Sequence, residues 1–202
     1  MHRGEHDEER KPKRIVHPGF KLIQPLGQGD YDGLCGLYAI LNAIRLAAAP
    51  TQVIGHKQAQ QLFISGVRYL SDRGALERAV CWAIKRQRWL SMVRHLRREA
   101  WRISGLRVHH EHLFEDDGDG EVEAKHVLAA LDRSLAERKA VLTFLRGAYR
   151  HYTVVAGSTP SSLILFDSYG YRWLRKASCV ATATDPARHN VHAASLMVIS
   201  VV

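Results

Sequence analysis

The stretch from Leu34 to Ala49 constrains the fold more than any other. Leu34, Leu37, Tyr38, Leu41, Ile44 and Ala48 recur at three- and four-residue steps, the spacing of one helix face. Ala39, Ile40 and Ala43 carry apolar surface beyond that stripe, so the pattern predicts a central helix covered on most sides. Pro50 stops it. A turn rich in glycine and aspartate leads in, with Gly27, Gly29 and Gly33 for backbone freedom and Asp30 and Asp32 as turn or N-cap residues. Cys35 then falls in the first helical turn, and Gly36 is expected to keep the space beside its sulfur open.

A helix start suits a nucleophile. Its free amides and dipole favour an anion, and a thiol there ionises more readily. Gln28, seven positions upstream, offers an amide to a developing oxyanion beside the Cys35 backbone N–H. The same residues also fit a small structural cysteine at the start of a core helix.

A second motif lies far downstream. Two β-rich runs, 151–156 and 162–167, flank a Gly-Ser-Thr-Pro-Ser turn. Centring that turn on Thr159 places Val155 opposite Leu163, Thr153 opposite Leu165 and His151 opposite Asp167. Opposed residues in an antiparallel pair have Cβ atoms about 5 Å apart. Asp167 can then orient the His151 imidazole, and His151 can move a proton to and from Cys35. An ordinary cross-strand His/Asp pair is the alternative reading of the hairpin alone.

These residues carry a resemblance. Gln28 with Asp-Gly-Leu-Cys-Gly-Leu-Tyr at 32–38, His-Tyr-Thr-Val-Val at 151–155 and Leu-Phe-Asp-Ser at 165–168 resemble the papain-like cysteine peptidase superfamily. Within it they are most similar to the bacteriocin-processing peptidases that cut after a double-glycine leader. The resemblance implies Cys35 as nucleophile, His151 as base, Asp167 as third member and Gln28 in the oxyanion hole. It implies no cofactor, and a peptide or protein substrate, one with a Gly-rich C-terminus included. The fold it implies is α+β and papain-like, with a cysteine-bearing central helix packed on a C-terminal antiparallel sheet.

Composition bounds the rest. The chain has 202 residues, 46% hydrophobic and 24% charged, enough for one domain with a substantial core. We expect a flexible charged tail at 1–14 and one catalytic domain at 15–202, with a helical lobe at about 33–138 and a sheet lobe at about 139–202. No run of about 18 apolar residues predicts a membrane span. No apolar signal segment is visible, so a cytoplasmic protein is expected, with export as an effector left open. Three cysteines argue for a reducing compartment, with Cys81 and Cys179 structural.

Helices are expected at 56–70, from Leu76 to Ile84, from a Ser91 cap to about Gly105, and at about 121–137. Strands are expected at Ala140–Leu145, in the 151–167 hairpin, at Tyr171–Arg175 and at Ser195–Val202. Between residues 68 and 107, eleven lysines and arginines face only Asp72, Glu77 and Glu99, a net +8 of the chain's formal +9. A solvated helix face is the default; an acidic protein substrate or nucleic acid is the alternative. His109, His110 and His112 lack a completing cysteine or carboxylate at ligand spacing, so no metal is assigned. The acidic run after them reads as a loop, because Val122 fills the place where a calcium-binding loop starting at Asp117 needs glycine. Peptide or isopeptide hydrolysis through an acyl-enzyme leads. Acyl transfer or deamidation at the same three residues, and a basic binding module, remain open.

Overall fold

Helix α1 (Cys35–Ala48) sits at the centre, with eleven of its fourteen residues buried, as its all-round apolar surface requires. The structure is a computed structural model and describes residues 14–30, 32–114, 122–147, 149–181 and 189–202. The predicted tail at 1–14 lies outside the described residues apart from Arg14, and so does most of the predicted acidic loop. Among the described residues the chain is α+β. Strand β1 (Ile15–Val16) and α1 are followed by α2 (His56–Ser71), α3 (Leu76–Trp82) and α4 (Arg86–Ser104). Then come β2 (Val108–His112), α5 (Ala124–Ala136), β3 (Ala140–Arg146), β4 (His151–Ser158), β5 (Ser162–Leu165) and β6 (Trp173–Arg175). Strands β7 (Cys179–Val180), β8 (His189–Val191) and β9 (Met197–Val201) complete the order.

The main path through the sheet runs β2-β9-β3-β4-β5-β6, with β1 on β4 and β8 on β3. Its pairs are antiparallel; β7 and β8 alone pair in parallel among the described strands. Alternate residues face opposite ways. Leu142, Val154, Ala156, Met197 and Ile199 join the cluster formed with α1, α2 and α4. Val141, Val155, Leu163 and Leu165 join a second cluster with Val127, Leu131 and Leu135 of α5. The sheet is therefore covered on both faces.

Several expectations need correction. The helical and sheet lobes interleave: β2 arises inside the expected helical span yet pairs along β9, and α5 lies on the face away from α1. The stretch from Val108 to His112 is thus an edge strand. Helix α4 starts five residues before Ser91, whose Oγ instead donates to the Gln87 carbonyl at 3.0 Å. Its far end is as expected, with Gly105 in the left-handed conformation at φ 69°. Helix α3 ends at Trp82, and Ala83 and Ile84 lie beyond it.

The hairpin register also differs. Thr159 is not the centre of the turn. Its N–H donates to the Ser162 carbonyl at 2.8 Å and its Oγ1 accepts from the Ser162 N–H at 2.9 Å, which leaves Pro160 and Ser161 as the loop. Ser158 then faces Leu163 and Gly157 faces Ile164. A bulge shifts the next pair to Val155 with Leu165. Phe166 N donates to Val154 O at 2.9 Å, carrying the shifted register one step past β5. Asp167 is therefore off the ladder and diagonal to His151 rather than opposite it. A shift of two keeps both on one face, so the side chains still meet.

Candidate active site

Cys35 is the first residue of α1. The turn before it is tied by Asp32, which accepts from Leu34 N at 2.9 Å and from Gly29 N at 3.1 Å. Gly33 is required there: a Cβ would lie 2.7 Å from the Ala79 and Val80 carbonyls at the end of α3. Gly33 N donates to Val80 O at 2.6 Å, so the cysteine turn is fastened to α3. Gly36 has a different role from the one expected. A Cβ there would meet Trp89 Cδ1 at 2.9 Å and Tyr152 Cδ2 at 3.3 Å, so its bareness admits two aromatic rings. Trp89 Nε1 donates to the Gly36 carbonyl at 3.0 Å, and the Trp89 and Tyr152 rings stack with centroids 4.6 Å apart.

His151 opens β4 and Asp167 follows β5. His151 Nε2–H donates to Asp167 Oδ2 at 2.7 Å, within a pair that is almost wholly buried. The other carboxylate oxygen, Oδ1, accepts from Tyr169 N at 2.8 Å and Tyr171 N at 3.1 Å. Three donors thus converge on one carboxylate. Burial raises the Asp167 carboxyl, but these donors and the adjacent imidazole outweigh it and hold the group below its ordinary value. Burial is also the largest single influence on His151, and it opposes the charged ring. The hydrogen bond to Asp167, the contact with Cys35 and the attraction of both together push the imidazole up to about 9. With Nε2 committed to Asp167, Nδ1 is the ring nitrogen left for a proton from the thiol, which itself points to the Gly33 carbonyl at 3.9 Å.

The three sequence-predicted residues therefore come together: Cys35 and Asp167 both act on the His151 ring. Cys35 keeps 5% of its surface exposed and His151 7%. Gln28 lies next to them, but its side chain is engaged. Its Nε2 donates to the Asp32 carbonyl, and its Oε1 accepts from Ser168 Oγ at 3.4 Å. Its backbone N–H donates to Ser168 O at 2.8 Å. Gln28 thus links the cysteine turn to the residue after Asp167. One Nε2 hydrogen stays uncommitted in these bonds. Buried Asn42 fixes the approach to Gln28, accepting from Leu26 N at 2.7 Å and donating to Leu26 O at 3.2 Å.

Sequence reasoning missed the aromatic surround. Tyr171 and Tyr169 sit 5.5 and 6.3 Å from the His151 ring centroid, and Phe144 and Trp89 flank Tyr152. The signal was present in Asp-Ser-Tyr-Gly-Tyr at 167–171, where Gly170 at φ 94° turns the chain back towards Asp167. Cys81 is exposed, so it does not serve the core as expected. Cys179 is buried; burial, opposed by Lys176, pushes its thiol up to about 11. Among the described residues no group of three or more His, Cys, Asp or Glu could hold a metal ion. His110 and His112 share a side of β2 that His109 does not, as strand alternation dictates.

Such an arrangement can take a proton from a thiol, hold it on an imidazolium facing a fixed carboxylate, and return it to a leaving group. No protein-family model and no curated protein matches the chain. No helix among the described residues is long and apolar enough to cross a membrane.

Proposed function

We propose that the protein is a papain-like thiol hydrolase acting on a peptide or isopeptide bond. Cys35 Sγ attacks the carbonyl carbon and His151 takes the thiol proton. The carbonyl oxygen becomes an oxyanion next to the Cys35 backbone N–H, with Gln28 as the candidate second donor. Collapse of this intermediate breaks the C–N bond. His151 returns the proton to the departing amine, leaving a thioester on Cys35. His151 then draws a proton from water as the hydroxide adds to the thioester carbon; the C–S bond breaks, the acid departs, and the proton on His151 returns to the Cys35 sulfur. Asp167 keeps the ring oriented throughout and balances its charge.

The observation that carries this reading is one imidazole bonded at 2.7 Å to a buried carboxylate and raised in pKa by the thiol at the start of α1 as well as by that carboxylate. The resemblance of the 28–38 and 151–168 motifs agrees with it. Treatment with an electrophilic peptide ending in Gly-Gly tests it. Modification at Cys35 and its loss in His151→Ala are expected; a protein left unlabelled at Cys35 overturns the reading. Mass spectrometry of a candidate protein substrate separates hydrolysis from deamidation and crosslinking.

A further inference from the structure

Beside Tyr152 lies a cleft of about 240 Å³ between the α3–α4 junction and the ends of β3 and β4. Five cations line it: Arg78, Lys85, Arg86, Arg146 and Arg150. Arg86 is partly engaged, donating to Ala194 O at 2.8 Å. Among the described residues no carboxylate forms an ion pair with Arg78, Lys85, Arg146 or Arg150. The inner wall is aromatic, from Phe144 and Tyr152, and the rim carries Trp82, 80% exposed. Below the roughly 300–1,000 Å³ of small-molecule sites, the volume suits a side chain better than a cofactor.

Two further features tie the cleft to the candidate active site. Tyr152 is a shared wall: its ring packs where a Gly36 Cβ would be, one residue from Cys35, and it feels both Cys35 and Arg86. Two lining residues, moreover, hold backbone conformations that side chains disfavour. Ala83 has φ 69° and ψ 168°, and Arg150, immediately before His151, has φ 44°. Strain of this kind persists where surrounding structure enforces it, and it collects at binding and catalytic sites.

We propose that this cleft is a subsite for a carboxylate side chain of the polypeptide that Cys35 acts on, an inference that rests on the thiol-hydrolase reading. The aromatic wall takes the methylene stem and the cations take the charge. Arg78, Lys85, Arg146 and Arg150, without an ion pair to any described carboxylate and set beside an aromatic wall, favour an anion over a neutral amide of the same shape.

A proteome-derived peptide library digested by the full chain and read by mass spectrometry tests this. Glu or Asp is expected at one fixed position from the cut, about tenfold over Gln or Asn, the scale of one charged hydrogen bond. Lys85→Glu, at an exposed helix start that tolerates an acid, should weaken that preference severalfold, since it sets a carboxylate among the four remaining cations. Cleavage with no acidic preference overturns the subsite and leaves the hydrolase intact. If nothing is cut, the hydrolase reading fails and binding alone decides the cleft. Fluorescein-labelled tetraglutamate should then bind Cys35→Ala about tenfold tighter than tetraglutamine, with the difference lost in Arg146→Gln. Equal binding of the two peptides overturns the proposal. So does an oligo-dT of matching charge that binds as tightly and is equally weakened by Arg146→Gln.

Discussion

The floor around Cys35 and the cationic cleft beside it share Tyr152 and differ in almost everything else. On the floor, polar groups face internal partners: Asp167 receives three donors, Trp89 Nε1 has the Gly36 carbonyl, and Asn42 holds Leu26 in both directions. In the cleft, four cations form no ion pair with a described carboxylate, and a tryptophan stands in solvent. Satisfied groups set a fixed chemistry. Cations that line an open cleft set a preference for what arrives.

The largest effect should fall on the floor. Cys35→Ala is expected to reduce turnover to background while the thermal transition stays in place, as calorimetry would check. Asp167→Asn keeps the shape but weakens the hold on His151, and should lower kcat by about 10²–10⁴-fold. An unchanged kcat would mean that the floor is only structural.

Trp89→Ala comes next. It removes a wholly buried indole and its bond to Gly36, and should cost about 3–5 kcal/mol in denaturant titration. A smaller loss would show that Tyr152 or Phe144 collapses into the space.

The pH response sharpens the contrast further. His151 is raised from 6.5 to about 9 by its partners, so its contribution to stability is complete below pH 6.5 and is lost as pH rises through about 9. Turnover that uses the imidazolium should decline over the same rise. In Asp167→Asn the decline should begin at lower pH. Asp167 itself is held below 3.8, so its contribution is present above that value and fades as pH falls. The smallest effect belongs to the cleft: Lys85→Glu should leave stability within about 0.5 kcal/mol while changing which peptides are cut.

The sequence displayed the site better than the frame around it. Apolar residues on every side of Leu34–Ala49 demanded burial, and Cys35 fell at the helix start because Asp32 and Gly33 shape the turn. A turn centred on Thr159 puts His151 opposite Asp167 in a register two residues from the observed one; period-two alternation preserves the contact. The bulge between Val155 and Gly157 was hidden, since it depends on β1 pairing with β4 and on Thr159 bonding Ser162. Trp89 lies outside the helix that a Ser91 cap predicts, because α4 begins earlier than local capping rules indicate. Strand β2, three of whose five residues are histidines, takes its extended form from the ladder with β9, a long-range cause that no short window contains. The Gly36 packing and the shared Tyr152 wall likewise arise only when α4 and β4 meet.

Competitive alkylation within one molecule tests the central claim most directly. Cys81 is exposed and Cys35 is 5% exposed, so accessibility alone favours Cys81. Limiting iodoacetamide followed by peptide mapping should label Cys35 first in the native protein, and His151→Ala should reverse the order. Labelling of Cys81 first in the native protein, with Cys35 reacting only after denaturation, would contradict it.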